Sequence, residues 1–217
     1  IFAHHALLTA SSGDKLSKRD NVISIESFRD KHIEPLAILS LLATIGTSNS
    51  IELKDSIQQI IEEFRIKTIS TSPGRIEIDL LNSLNKKLIQ KFDFSEIEDR
   101  LKNIDSRIDR NFWETTRGNL DIVEDIKGWG DIVFDSSPIE PADKEFIKIA
   151  LDLMPEEPWN DTTWDNWTAK IKEKTGRKGK DLFLPLREAF TGMKHGPEMK
   201  KLIQLLGRDK ILERVKI

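Results

Sequence analysis

Apolar residues recur every three or four positions along most of this chain, with polar residues between them. From Ser27 to Gly46, large apolar residues stand at positions 28, 33, 36, 39, 41, 42 and 45. Such spacing places most of them on one side of a helix, and a glycine commonly follows a helix end. The pattern therefore predicts a helix that begins near Ser27 and ends before Gly46.

Similar spacing continues towards the C-terminus. It predicts further helices at 55–66, 79–89, 95–104, 142–153, 183–190 and 197–216. Asp79 is the expected N-cap of its helix, and Thr162 or Thr163 caps another helix that runs to position 174. The residues from 110 to 135 form either two helices or one helix broken at Gly118. Because strand signals are few, we expect a mainly α fold.

Composition narrows the classes of protein to which this chain can belong. A length of 217 residues predicts one or two domains, and the absence of cysteine excludes disulfides and thiolate zinc sites. The net charge of −3 argues against a general nucleic-acid binder, although a local basic patch can still hold a large RNA. No apolar run approaches about 18 residues, and no secretory leader is visible, so we expect no membrane span. Since Ile1 is not methionine, we expect the chain to start inside a longer protein of the cytoplasm.

A basic run near the N-terminus is the first candidate for chemistry. Lys15, Lys18 and Arg19 are surrounded by small or flexible residues, among them Gly13 and Ser17. A lysine ammonium is a mobile point charge that can stabilise the charge developing on a triphosphate during nucleotidyl transfer. From the spacing alone, a solvated basic turn is the more common structure for such a run.

The neighbouring pair His4 and His5 is a weaker candidate for a functional site. No Asp, Glu or Cys stands beside these histidines at the spacing of a metal-ligand cluster. We therefore expect them to have structural roles and predict no metal site.

A second basic stretch follows a group of tryptophans. Its members are Lys170, Lys172, Lys174, Arg177, Lys178 and Lys180, and the tryptophans are Trp159, Trp164 and Trp167. Cations beside aromatic rings can hold phosphates while unpaired bases stack on the rings. Alternatively, the rings belong to the core and the lysines to a solvated face. The spacing of three between Trp164 and Trp167 favours core packing, but the lysines remain candidate phosphate contacts.

Four segments together carry a family resemblance. They are FAHHALLTASSGDKLSKRD at 2–20, SPGRIEIDLL at 72–81 followed by Leu84 and Asn85, FLPLREAFTG at 183–192, and HGPE at 195–198 followed by LLGR at 205–208. In this order they resemble the end of the catalytic domain, the stem-contact region and the anticodon-binding end of bacterial glutamyl-tRNA synthetases. The resemblance spans nearly the whole chain, which makes it far more specific than any single segment.

The resemblance implies an architecture and an activity. Residues 1–20 would end a class I catalytic domain, 21–92 would form a helical stem-contact region, and 93–217 a helical-bundle anticodon-binding domain, with a break near 150 between two sub-bundles. The family activates glutamate with ATP and Mg²⁺ and transfers it to tRNA(Glu). Lys15 and Lys18 would be catalytic, and Ser17 and Arg19 would complete the ATP-binding loop. The family's other nucleotide-binding signature, a His-x-Gly-His loop, and its glutamate-binding residues are absent here. This chain alone should therefore be an inactive, monomeric tRNA binder.

The same resemblance assigns tRNA-binding residues. Arg187 lies where members of the family read the anticodon, and a guanidinium can form paired hydrogen bonds with a base edge. Alternatively, Arg187 pairs with Glu188 or with a neighbouring helix end. Arg117 and Asn119 lie where synthetases restricted to tRNA(Glu) carry an arginine in place of the asparagine, so we hypothesise that the parent enzyme also charges tRNA(Gln). Together with Lys178 and Lys180, these residues are the expected tRNA contacts.

Two other interpretations remain open from the sequence. The chain can be a stand-alone tRNA-binding or scaffold protein derived from a synthetase, in which case the lysine loop is a relic. It can also be a helical protein-interaction module whose exposed tryptophans bind a partner.

Overall fold

The structure is a computed structural model that describes residues 6–14, 16, 23–135 and 137–217. Helices dominate these residues. The α-helices are α1 (Ile25–Asp30), α2 (Pro35–Thr44), α3 (Ile57–Glu63), α4 (Ile78–Lys91), α5 (Phe94–Ile104), α6 (Arg110–Thr116), α7 (Ile126–Phe134), α8 (Lys144–Asp152), α9 (Thr163–Thr175), α10 (Lys180–Thr191), α11 (Met199–Leu206) and α12 (Arg208–Arg214). Short 3₁₀ helices cover Ile66–Thr68, Arg117–Asn119 and Val123–Asp125, and the strands are β1 (Leu8–Thr9) and β2 (Gly74–Arg75).

The helix predicted from Ser27 to Gly46 is wrong in its continuity, because two helices occupy this region. Pro35 is the first residue of α2, and it has no N–H to continue a hydrogen-bond ladder from α1. Between the helices, His32 has a φ of 55°, outside the helical region. The apolar spacing continues across the break between α1 and α2, because apolar residues of both helices, such as Phe28 and Leu41, pack into the same core.

Three further predictions concern helix ends. The helix predicted at 197–216 divides into α11 and α12 at Gly207, whose φ of 74° and ψ of 163° are not helical. Asp79 is not the N-cap of α4, because the helix starts one residue earlier and Glu77 occupies the cap position. The two-helix alternative for residues 110–135 is confirmed, since α6 and α7 are separated by the 3₁₀ turns.

The chain divides into two compact units. Unit 1 comprises residues up to Glu96 together with Leu120–Glu124, and unit 2 comprises Ile97–Asn119 and Asp125–Ile217. In unit 1, α2 packs against α4 around Leu41 and Leu84. The buried Asn85 connects two loops of this unit, because its Oδ1 accepts from the Glu34 N–H and its Nδ2 donates to the Asp121 carbonyl, each at 2.8 Å.

Unit 2 has its own core, built by large aromatic side chains and by one buried cation. Trp113, Trp167 and Phe190 are almost completely buried. The guanidinium of Arg214, only 2% exposed, donates to the carbonyl oxygens of Phe190 and Asp135 at 2.9 and 2.5 Å and also to that of Ile132. Burial lowers the pKa of Arg214, and the three carbonyls are the acceptors that compensate for its loss of water. Among the described residues, no helix has both the length and the apolar composition needed to cross a membrane.

Candidate nucleic-acid interface

The predicted ATP-binding residues Lys15, Ser17, Lys18 and Arg19, like the pair at positions 4 and 5, lie outside the described residues. The chain that leads to them is described. After β1 it turns at Gly13, whose φ is 91°, and the Gly13 N–H donates to the Ala10 carbonyl at 2.9 Å.

β1 also joins the first family segment to the second. It pairs in parallel with β2, with Leu8 opposite Gly74 and Thr9 opposite Arg75. Gly74 has to be small here, because a Cβ would stand 3.0 Å from Cγ1 of Ile45. The glycine of the SPGR motif is therefore explained by the close approach of two chain segments.

Arg187 lies on α10 in unit 2, and only some of the hydrogen-bond donors of its guanidinium have acceptors. Its Nη2 donates to the carbonyl oxygen of Pro197 at 2.8 Å, whereas its buried Nη1 has no hydrogen-bond acceptor among the described residues. Burial lowers the pKa of the guanidinium. Arg187 thus contacts the segment before α11, as the structural alternative expected, while its Nη1 is enclosed without an acceptor among the described residues. Glu188 instead lies 3.9 Å from Lys194.

The carbonyl that holds Arg187 is positioned by the HGPE motif. Gly196 has a φ of 150°, and a Cβ there would stand 2.8 Å from Cζ2 of Trp129 and closer still to Cη2. Only glycine allows the backbone to lie flat against this buried indole. The loop then presents the Pro197 carbonyl to Arg187, so two family segments that are separate in sequence form one local arrangement.

Lys178 and Lys180 are exposed on either side of Gly179, and neither forms an ion pair within the described parts of the chain. Their neighbour Arg177, by contrast, forms an ion pair. Its guanidinium donates to Oδ2 of Asp143 at 2.6 Å and lies 4.1 Å from the ring centre of Phe146. The hydrogen bond from Arg177, followed by that from the Phe146 N–H, lowers the pKa of Asp143. Arg177 therefore anchors the loop, while the two lysines point their charge to solvent.

The tryptophans next to this basic stretch confirm the core interpretation. Trp167 is 1% exposed, stacks on Phe190 with 5.4 Å between ring centres, and donates to the Ala150 carbonyl at 2.9 Å. Trp164 meets Trp167 edge-on at 5.9 Å. Trp159 is half-buried and donates to a backbone carbonyl. Since Trp113 and Trp129 are buried as well, exposed tryptophans are not available as a partner-binding surface.

Arg117 and Asn119 lie in the 3₁₀ turn that follows α6. Arg117 is half-buried and its N–H donates to the Trp113 carbonyl, which ties the turn to the core of unit 2. Asn119 is exposed at the end of the turn, so its amide can donate to or accept from a base.

The sequence motifs predict no role for one exposed aromatic residue. Phe183 is 44% exposed on α10, three residues after Lys180 and four before Arg187. The helical period gave a signal, since residues 180, 183 and 187 share one face of a helix. Within the described residues, no group of three or more His, Cys, Asp or Glu side chains could hold a metal ion.

This chain is similar in sequence to a known domain family and to known enzymes. The family model described as "Anticodon binding domain" matches residues 96–217. The chain is 41% identical over 222 residues to glutamate–tRNA ligase 1 of Bartonella quintana and 40% identical over 220 residues to that of Brucella canis. These alignments cover 100% and 99% of this chain but 48% of each relative, so the chain spans about half the length of the curated relatives it matches.

Two solved structures share the fold. They are glutamate-tRNA synthetases from Elizabethkingia anophelis, with a TM-score of 0.76 and 19% identity, and from Elizabethkingia meningosepticum, with a TM-score of 0.78 and 18% identity. Each match covers 98% of this chain and 50% of the solved chain. These likenesses confirm the mainly α fold, and the sequence relatives confirm the resemblance inferred from the motifs.

Proposed function

We propose, from the premise that this chain belongs to the anticodon binding domain family, that it is the tRNA-binding C-terminal part of a glutamate–tRNA ligase. The observation that carries the proposal is the identity of about 40% to such ligases along essentially the whole chain. Residues 21–92 would contact the tRNA stem and residues 93–217 the anticodon. tRNA(Glu) would be the partner, and the hypothesis of relaxed specificity adds tRNA(Gln).

The complete enzyme would work in the cytoplasm and attach glutamate to the tRNA. ATP with Mg²⁺ would supply the phosphoanhydride chemistry that activates glutamate. The residues proposed to hold ATP, Lys15, Ser17, Lys18 and Arg19, lie outside the described part of the chain. This chain by itself would bind tRNA without activating glutamate, and an assay of glutamate-dependent pyrophosphate exchange with ATP checks that.

Anticodon reading would rest on hydrogen bonds from Arg187. The Pro197 carbonyl fixes one terminal nitrogen of its guanidinium, while Nη1 keeps a donor without an acceptor among the described residues. A buried donor without a partner is costly, and a turn of the side chain that brings Nη1 to an accepting base edge would remove that cost. An unpaired anticodon base presents such an edge, since single-stranded loops expose their hydrogen-bonding groups. Lys178 and Lys180 would meet phosphates of the same loop.

The test is binding of this chain to tRNA(Glu), tRNA(Gln) and an unrelated tRNA at about 50 and about 200 mM salt. Arg187→Ala and Arg187→Lys are compared with Arg110→Ala, which removes an exposed arginine that lies 3.7 Å from Glu114 on its own helix. Both Arg187 variants should weaken binding, since lysine keeps the charge but loses the fork of donors. Equal affinity of the unaltered chain for all three tRNAs would remove the proposed function.

A further inference from the structure

Phe183 is the solvent end of a row of packed aromatic rings. Its ring centre is 6.3 Å from that of Trp164, which meets Trp167 edge-on, and Trp167 in turn stacks on Phe190. The three inner rings are buried, but Phe183 itself is 44% exposed. The ring is therefore supported from behind by the core of unit 2 while much of its surface meets water.

Cations flank this ring along the same helix. Lys180 precedes Phe183 by three positions and Arg187 follows it by four, which puts the three side chains on one face of α10. Lys180 has no ion pair within the described residues, and Nη1 of Arg187 has no acceptor among them. The face thus combines a flat apolar surface with the exposed ammonium of Lys180, and the partly buried guanidinium of Arg187 lies on the same side of the helix.

We propose that Phe183 is a base-stacking residue, on which an unpaired base of a single-stranded RNA loop lies while Lys180 meets a phosphate. This inference rests on the proposed function. It adds a stacking contact that does not depend on the identity of the RNA base. RNA is the occupant that fits because a base offers an aromatic face to the ring and an acceptor edge to Arg187, and its phosphates complement the charge of Lys180. An apolar protein surface would cover the ring but leave the exposed ammonium of Lys180 unpaired.

The experiment uses this chain and a tRNA(Glu) transcript that carries 2-aminopurine in the anticodon loop. The fluorescence of this base falls when it stacks. Phe183→Leu removes the flat ring and keeps apolar bulk, whereas Phe183→Trp keeps an aromatic face. Leu212→Ala, which truncates another exposed apolar side chain of unit 2, is the matched control. Thermal unfolding of each variant, followed by tryptophan fluorescence, verifies that the fold is intact.

The unaltered chain, Phe183→Trp and Leu212→Ala should bind tightly and quench the 2-aminopurine signal. Phe183→Leu should lose the quenching and bind about 5- to 100-fold more weakly, as expected for one lost stacking contact. If Phe183→Leu binds and quenches like the unaltered chain, the stacking role is wrong although the proposed function stands. If the unaltered chain does not prefer tRNA(Glu) to an unrelated RNA, both proposals are overturned.

Discussion

The arginines of unit 2 differ in how completely their donors are used. Arg214 is buried on three backbone carbonyls, and Arg177 is bound to Asp143 and Phe146. Arg187, by contrast, donates to the Pro197 carbonyl and has a second nitrogen without an acceptor within the described residues. Binding to RNA favours a cation whose hydrogen bonds are incomplete in the free protein. On that criterion Arg187 is a better tRNA contact than either of the others.

Asn119 provides the prediction on specificity. Asn119→Arg should weaken binding of tRNA(Gln) relative to tRNA(Glu), by roughly 10-fold for one discriminating base contact, because a long cation then replaces an adaptable amide. The side chain is exposed, so the substitution should not affect folding. Titration of the two tRNAs measures the ratio, and Asn103→Arg, at an exposed position of α5, adds the same charge elsewhere in unit 2. A ratio that changes equally in both variants would contradict a role for position 119.

Sequence could predict some of these residue roles and not others. The core position of Trp164 and Trp167 followed from their spacing on one helix. The anchoring of Arg177 could not be predicted, because its partner Asp143 is 34 residues away and periodicity carries no information on contacts between helices. For the same reason, the basic stretch gave no sign that Lys178 and Lys180 stay exposed while Arg177 does not.

At the scale of elements, residues that interrupt the helical backbone determine where the helices begin and end. The sequence placed most helices correctly because their apolar faces are regular, but it joined α1 to α2 and α11 to α12. Pro35 and Gly207 were visible breakers, yet the apolar period continued across both of them. The HGPE loop shows a different limit. Its glycine is explained only by the indole of Trp129, which lies 67 positions earlier in the chain, and no local pattern reports such a contact.

Gly196→Ala tests the role of this loop. The added methyl group collides with Trp129 at a φ unfavourable to alanine, so the free energy of unfolding should fall by about 1–3 kcal/mol. tRNA binding should weaken as well, since the Pro197 carbonyl would shift away from Arg187. Urea unfolding followed by tryptophan fluorescence suits the measurement, because all five tryptophans belong to unit 2.

Gly128→Ala is the control for that substitution. Gly128 lies within α7 and a Cβ there would have no neighbour within 4 Å. Alanine should therefore leave stability unchanged or raise it by up to about 1 kcal/mol through its higher helix propensity. Equal destabilisation by both substitutions would show that the Trp129 contact is not the reason for the glycine.

The link between Arg177 and α8 predicts a dependence on pH. Asp143→Asn keeps a side-chain acceptor at the N-cap but removes the charge, so at neutral pH unfolding should become easier by about 0.5–1 kcal/mol. The pKa of Asp143 is lowered in the folded chain. Its stabilisation is thus present above the unfolded value of about 3.9 and is lost as the pH falls through the folded value.

Urea unfolding from neutral pH down to about pH 3 should then show the two curves converging. Glu173→Gln, at an exposed position of α9, removes a charge from the same unit and should show no such convergence. A difference between Asp143→Asn and the unaltered chain that stays constant with pH would mean that the ion pair is not its source.

For the whole molecule, the net charge disfavours RNA binding, whereas local groups of exposed cations favour it. The net charge of −3 repels a polyanion, but at physiological salt this repulsion is screened beyond about 8 Å. Contacts at short range then determine affinity, and only cations that are not already engaged within the protein can release counterions from RNA. Several lysines are engaged, among them Lys200, which lies 3.1 Å from Asp165, and Lys210, which donates to the Val133 carbonyl.

Salt dependence therefore distinguishes the free lysines from the engaged ones. Replacing Lys178 and Lys180 together by alanine should lower the slope of log affinity for tRNA(Glu) against log salt by about 1.4–1.8, corresponding to two lost phosphate contacts. Replacing Lys200 and Lys210 together changes the net charge equally and should leave the slope almost unaltered. Fluorescence titrations over several salt concentrations give both slopes. If the two double variants reduce the slope by the same amount, diffuse charge rather than the α9–α10 loop holds the RNA.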